Sequence, residues 1–133
     1  MSDTFLFELV SPEKKLASTE AQSIILPGIE GDFTALPNHS TFLTTLRPGI
    51  LTLNDKEGDQ KFVVTGGFVE ILETGTTVLA ENSFPISEVD KNLMNNLIKE
   101  SEEDLKNSSD ENKSRLELRH NDLLILSDII SNN

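Results

Sequence analysis

Apolar positions change period once along this chain. From residue 4 to about residue 85 they come in short runs of five to seven, broken by Gly, Pro or clustered polar residues. From Ser87 to the end neither Gly nor Pro occurs, and Leu and Ile recur three and four positions apart. The first pattern is that of strands and turns, the second that of helices.

The run TFLFELV at 4–10 sets Phe5, Phe7 and Leu9 against Leu6 and Val10. Apolar side chains on both faces predict a strand covered by a second layer. Ser11-Pro12-Glu13 makes the first turn, and Leu16 and Ala17 lead to a second strand at Gln22–Leu26. The stretch Ile25–Leu53 is interrupted at Pro27-Gly28, Pro37-Asn38 and Pro48-Gly49. Each break removes a backbone donor or demands unusual dihedrals, so the stretch is not helical and reads as tight strands joined by shaped turns. Asn54–Gln60 is a polar hairpin turn. Gly66-Gly67, between β-rich runs at Lys61–Thr65 and Phe68–Leu72, predicts a bulge or a sharp bend where the chain changes sheet. With Thr76–Ala80 this gives eight to ten short, evenly spaced strands, the signature of an all-β sandwich or barrel.

Beyond Phe84-Pro85, Ser87 and Asp90 have capping-box spacing. Leu93, Leu97, Ile98 and Leu105 follow at helical intervals, with Met94 beside them. Lys106–Asn112 is a polar break, with Ser108 and Glu111 offering the next helix start. Leu116, Leu123, Leu124 and Ile130 then mark a second stripe, widened by Leu118, Ile125, Leu126 and Ile129. The fold class is therefore α+β and mainly β: a sandwich over residues 1–86, then an antiparallel two-helix hairpin over 87–133.

Composition narrows what such a chain does. Over 133 residues the apolar fraction is 36% and Phe is the only aromatic, so burial is concentrated in one part of the chain. With 23 acidic and 11 basic residues the net charge is −12. It divides as −7 over 1–87 (12 acidic, 5 basic) and −5 over 88–133 (11 acidic, 6 basic). Neither part suits nucleic acid or anionic lipid, which would be repelled. The absence of cysteine excludes disulfides, thiol catalysis and cysteine-based zinc sites. The N-terminus lacks the basic and apolar regions of a secretory signal, and no run approaches the roughly 20 apolar residues of a membrane span. The expected location is the cytoplasm, in solution or peripherally bound.

Candidate chemistry is sparse. His39, in the turn PNHS, has neither an orienting carboxylate nor a nucleophile beside it in sequence, so a loop or interface histidine is the plainer reading. His120 lies on the edge of the apolar stripe and reads as a helix-packing residue. The run Glu100, Glu102, Glu103, Asp104 lacks the glycine hinge and alternating ligands of a calcium loop and reads as a solvated face. No phosphate-loop or nucleophile-elbow pattern occurs. The residues thus point to a binding or regulatory subunit without metal or cofactor. A small hydrolase built on His39 and Asp32 is the weakest alternative.

Five segments in one order, Leu9–Glu13, Leu26–Phe33, Leu36–Leu53, Val64–Ile71 and Thr77–Glu81, resemble the epsilon subunit of F-type ATP synthase. The family's helical hairpin falls where this chain has its own. The resemblance implies a flattened sandwich of ten strands plus two helices, in the central stalk, bound to the gamma subunit and resting on the c-ring. It implies a mechanical role with no catalytic group, peripheral to the cytoplasmic face of a bacterial inner membrane. It implies contact with the ring's polar loops through Asp32, Asn38, His39 and Ser40, with Ser40-Thr41 standing where the family commonly has Ala-Pro. In some members the helices extend and inhibit hydrolysis, folding down when ATP binds an Ile/Leu-Asp-x-x-Arg-Ala motif. Val89–Met94 keeps Asp90 but lacks the Arg and Ala, so weak or absent ATP binding is expected, since the best bidentate phosphate donor is missing. Lys113, Arg115 and Arg119 are the candidates to meet an acidic segment of the beta subunit, against the plainer reading that they balance an acidic face. A free-standing regulatory module with one protein partner is the alternative function.

Overall fold

The computed structural model describes residues 3–132. Ten strands precede two helices: β1 (Phe5–Val10), β2 (Lys15–Ala21), β3 (Ser23–Gly28), β4 (Gly31–Ala35), β5 (Phe42–Leu46), β6 (Gly49–Asp55), β7 (Gly58–Val64), β8 (Gly67–Leu72), β9 (Gly75–Ala80), β10 (Ser83–Pro85), α1 (Lys91–Lys106) and α2 (Asp110–Ser131). A single turn of 3-10 helix, Ile86–Glu88, follows β10. The mainly-β class with a terminal helical pair is as expected. Contacts cluster into two compact units that divide after Ile86.

Hydrogen bonding links the strands in one path, β10-β7-β6-β3-β5-β8-β9-β1-β2, with β4 on β3. Neighbours are antiparallel except β1 and β9. β3 is shared along its length: Ser23–Ile25 pair with β6, while Gly28 pairs with Leu46 of β5. The path folds over one core that includes Phe7, Leu9, Ile24, Leu26, Leu51, Leu53, Val64, Val69 and Ile71, each at most 2% exposed.

At Gly66 and Gly67 the chain changes strand neighbours, as a bend there implies, but not sheets, since all ten strands are linked in one. β7 pairs with β6 and β10, whereas β8 pairs with β5 and β9, so the chain changes neighbours across this pair. Gly67 has φ +140°, and a Cβ there would lie 2.1 Å from the Leu79 carbonyl oxygen. Only glycine fits both the dihedral and the space.

Three local expectations need correction. Phe7 and Leu9 are fully buried but Leu6 is 44% exposed, so β1 is covered on one face only. Leu6 belongs to a solvent-facing apolar surface and not to a second core. At α1 the N-cap is Asp90, whose side chain accepts the Leu93 N–H at 2.8 Å, while Ser87 lies in the preceding 3-10 turn. At α2 the N-cap is Ser109 and not Ser108, whose hydroxyl donates back to Leu105 O at 2.7 Å. Asp110 and Glu111 in the first turn favour a start there through the helix dipole.

Candidate functional site

β3 and β4 form a tight hairpin in which Gly28 faces Gly31 across the two-residue turn Ile29-Glu30. Gly31 has φ +133°, which the turn demands, and a Cβ on Gly28 would meet Gly31 O at 2.7 Å. Asp32 follows at the base of this tip, with its side chain 62% exposed. One carboxylate oxygen, Oδ1, accepts Arg47 Nη2 at 2.5 Å, and Arg47 Nε donates to Gly28 O at 3.1 Å. The chain at Arg47 is also tied through the backbone, its N–H donating to Pro27 O at 2.9 Å.

The β4–β5 loop carries the other predicted contact residues. Asn38 has φ 66°, a left-handed conformation that asparagine tolerates better than most side chains. His39 N–H donates to Leu36 O at 3.2 Å, closing the turn. His39 Nδ1 lies 2.7 Å from Ser40 O, so that nitrogen carries the proton and donates. The His39 ring centroid is 6.3 Å from that of Phe42, which meets Phe33 edge-on at 5.6 Å. Phe33 follows Asp32 on β4, so the two aromatic rings bring the loop beside the tip. A cleft of about 250 Å3 opens there, lined by Ile29, Glu30, Asp32, Phe33 and Phe42 among others. Ile29, Phe33 and Phe42 are its apolar lining, Thr44 adds a hydroxyl, and its acidic groups are Glu30 and Asp32.

This geometry does not assemble a hydrolase. His39 is engaged by its neighbour's carbonyl and Asp32 by Arg47, so neither orients the other for proton transfer. Among the described residues no cluster of three or more His, Cys, Asp or Glu could hold a metal ion. No described helix is long and apolar enough to cross a membrane.

A second surface lies on the outer face of β1, β5, β8 and β9. Phe68 stands opposite Leu79 and Thr45, Leu43 opposite Glu70, and Gly75 opposite both Leu72 and Leu6. Directly opposed residues share a face, so Leu6, Leu43, Phe68, Leu72 and Leu79 lie together on it, with Glu70, Thr77 and Glu8 in the row between them. All five are exposed, from 42% at Leu72 to 68% at Leu43. Five large apolar side chains exposed on one sheet face suit contact with a protein partner.

The helical unit holds the remaining candidates. Asp90 serves as helix cap beside a cleft of about 260 Å3 lined by Val89, Lys91, Met94, Ser127 and Ile130 among others. Lys113, Arg115 and Arg119 all lie on α2. Arg115 and Arg119, one turn apart, share a face, whereas Lys113 points about 200° away from Arg115 at 3.6 residues per turn. The three do not form one basic stripe. His120 Nδ1 meets Ser101 Oγ of α1 at 2.5 Å, and that hydroxyl donates to Ile98 O at 2.8 Å. Its single proton is thus committed, and His120 must donate.

Sequence reasoning missed Arg47, Ser101 and the outer apolar face. Arg47 had a signal: it is the only Lys or Arg between Ile25 and Leu53, in a stretch whose carboxylates are Glu30 and Asp32.

Fold and surface define a class: a β-sandwich joined to a helical pair, with a shaped polar tip and an apolar face fit for protein contact. The family model of the ATP synthase delta/epsilon chain β-sandwich domain matches residues 4–86. The whole chain is similar to the ATP synthase epsilon chain of Jannaschia sp. (strain CCS1), 43% identical over 127 residues covering 96% of each chain. It is 50% identical to that of Fuscovulum blasticum over 98 residues, 74% of this chain and 75% of that one. Among solved structures, one of the Euglena gracilis mitochondrial ATP synthase (OSCP/F1/c-ring) matches with a TM-score of 0.74 at 18% identity, covering 98% of this chain and 83% of that one, a likeness of fold alone. The chain belongs to the ATP synthase epsilon-chain family.

Proposed function

We propose that this chain works as a rotor subunit of an ATP synthase, passing torque between a membrane-embedded c-ring and the gamma subunit while supplying no catalytic group. The observation that carries this reading is the pairing of two different surfaces on one rigid sandwich. The outer face exposes Leu6, Leu43, Phe68, Leu72 and Leu79 around the polar row Glu70, Thr77 and Glu8, a mixture suited to a lasting subunit contact. Gamma is its occupant. The tip at Asp32 with the loop at Asn38, His39 and Ser40 is polar and tightly hydrogen-bonded, suited to the polar loops of the ring. Its cleft, lined by Ile29, Phe33 and Phe42 with two carboxylates, fits a cationic side chain with an aliphatic stem. The subunit sits peripherally on the cytoplasmic face of the bacterial inner membrane, held there by its partners. A free-standing regulatory module is the less favoured reading, since the relatives similar over nearly the full length are ATP synthase chains.

Nucleotide has a poor site here. Asp90 is committed to capping α1, and no arginine stands in the helix's first turn. The isolated chain is therefore proposed to bind ATP weakly or not at all, and a titration giving sub-millimolar affinity would overturn this. Restraint of hydrolysis through Arg115 and Arg119, with Lys113 on the other side of α2, is tested by deleting residues 88–133. An unchanged hydrolysis rate in the assembled enzyme would leave these side chains as charge balance.

The rotor reading is tested by purification from detergent-solubilised membranes. Alpha, beta and gamma subunits should accompany the chain, and a soluble complex without them would refute it. Asp32→Lys should reduce ATP-driven proton pumping much more than it lowers the melting temperature. Equal loss of both would remove Asp32 from the ring contact.

A further inference from the structure

Asp32 does not stand alone at the tip. Arg47 reaches it from the corner between β5 and β6, the point where the partnership of β3 passes from one strand to the other. That corner is firmly built: Leu46, Pro48 and Gly49 are buried, and a Cβ on Gly49 would lie 2.6 Å from the Pro27 side chain. From it one guanidinium makes two bonds to the hairpin, Nε to the Gly28 carbonyl before the turn and Nη2 to the Asp32 carboxylate after it. The Ile29 N–H, inside the turn, donates to Thr45 O of β5 at 3.0 Å. Both sides of the turn are therefore fastened to the chain segment where the two halves of the path meet along β3.

A planar fork with donors at fixed spacing can do this, and an ammonium cannot hold both acceptors in the same geometry. The bond occupies Oδ1 and leaves the second carboxylate oxygen on an exposed side chain. An exposed carboxylate one residue into β4, at the base of the turn, would otherwise rotate freely, and a contact that transmits torque loses force through such freedom.

We propose that Arg47 is the positioning residue of the tip: it orients the Asp32 carboxylate and ties the hairpin to the sheet junction, so that load on Asp32 is delivered to the sandwich and not lost in the turn. This rests on the reading of Asp32 as a ring contact, and it adds a residue that acts through Asp32.

The test is a double-mutant cycle in the assembled enzyme in membrane vesicles, reading the ratio of ATP-driven acidification to ATP hydrolysis. The variants are Asp32→Asn, Arg47→Gln and both together. If Arg47 acts through Asp32, each single substitution lowers the ratio by about two- to tenfold and the double variant is no worse than the poorer single. Multiplying effects would overturn the proposal, as would a wild-type ratio in Arg47→Gln beside a lowered one in Asp32→Asn. A wild-type ratio in Asp32→Asn instead removes the ring-contact reading itself, which separates the two failures. Arg47→Lys, which keeps the charge, guards against an unfolded Gln variant. It should melt near wild type yet show a reduced ratio, and full coupling with lysine would overturn the two-acceptor clamp.

Discussion

The sandwich and the helical pair spend their apolar side chains differently. Among the described residues, sixteen of the twenty buried apolar side chains lie in the strands and four, Met94, Leu97, Leu123 and Leu126, in the helices. α2 exposes Leu118, Leu124, Ile125 and Ile129, twice as many large apolar side chains as it buries. The strands also hold glycines at positive φ where the chain turns or changes neighbours, a feature α1 and α2 lack. One region is over-determined by packing and backbone geometry together. The other rests on a narrow apolar stripe and one polar clasp. Few buried apolar side chains leave a helical pair with low local stability against opening.

The largest expected effect tests the rigid side of this contrast. Gly67→Ala places a methyl against the Leu79 carbonyl at a dihedral that alanine resists. It should cost about 3 kcal/mol or more, from strain and overpacking combined. Denaturant unfolding of the purified chain checks this, and a stability within experimental error of wild type would mean the β7–β8 bend is softer than it looks. Next comes Leu123→Ala, which empties the fully buried centre of the helical pair at a cost of about 2–5 kcal/mol. With so small a core, that loss should abolish most of the helical circular dichroism at 25 °C while amide protection in β6 and β8 survives. Joint loss of helix and strand protection would show one cooperative unit and erase the contrast.

Legibility in the sequence followed the same division. Strand number, the glycine bend and the helical pair were readable because Gly, Pro and apolar period constrain the backbone locally. The face of a strand was less readable. Phe5–Val10 looks two-sided because Leu6 and Val10 are apolar, and nothing local says that Leu6 meets solvent beside Leu72. Such a patch exists only once four strands are in register. Asp32 and His39 could be placed in turns, yet the Arg47 bond spans fifteen residues and depends on β5 crossing β3 at one point. Ser101 was hidden for a different reason. A serine on an apolar stripe counts against the stripe until its partner on the other helix is known.

That clasp gives the third prediction. Ser101 is 3% exposed, and Ser101→Ala leaves the His120 donor without its acceptor. The expected loss is about 1–2 kcal/mol of helical-pair stability, read as an earlier thermal transition at 222 nm. Adding His120→Ala to that variant should cost less than it does in wild type, because the bond is already gone. Equal costs in both backgrounds would show that the two side chains merely lie near each other.

The smallest effect is the most diagnostic for the helical unit. Asp90→Ala removes the cap on α1 and should cost about 1 kcal/mol, whereas Asp90→Ser, which can accept the same Leu93 N–H, should restore most of it. The pair of substitutions separates two uses of one carboxylate. A cap needs an oxygen at the right distance, so serine suffices. A negative charge that acts on a partner cannot be replaced by a hydroxyl. If serine restores helix stability and the assembled enzyme hydrolyses ATP at the wild-type rate, Asp90 serves only to start α1. If serine restores stability but hydrolysis changes, the charge acts beyond its own helix, and the weakly packed region carries regulation through a residue its fold also depends on.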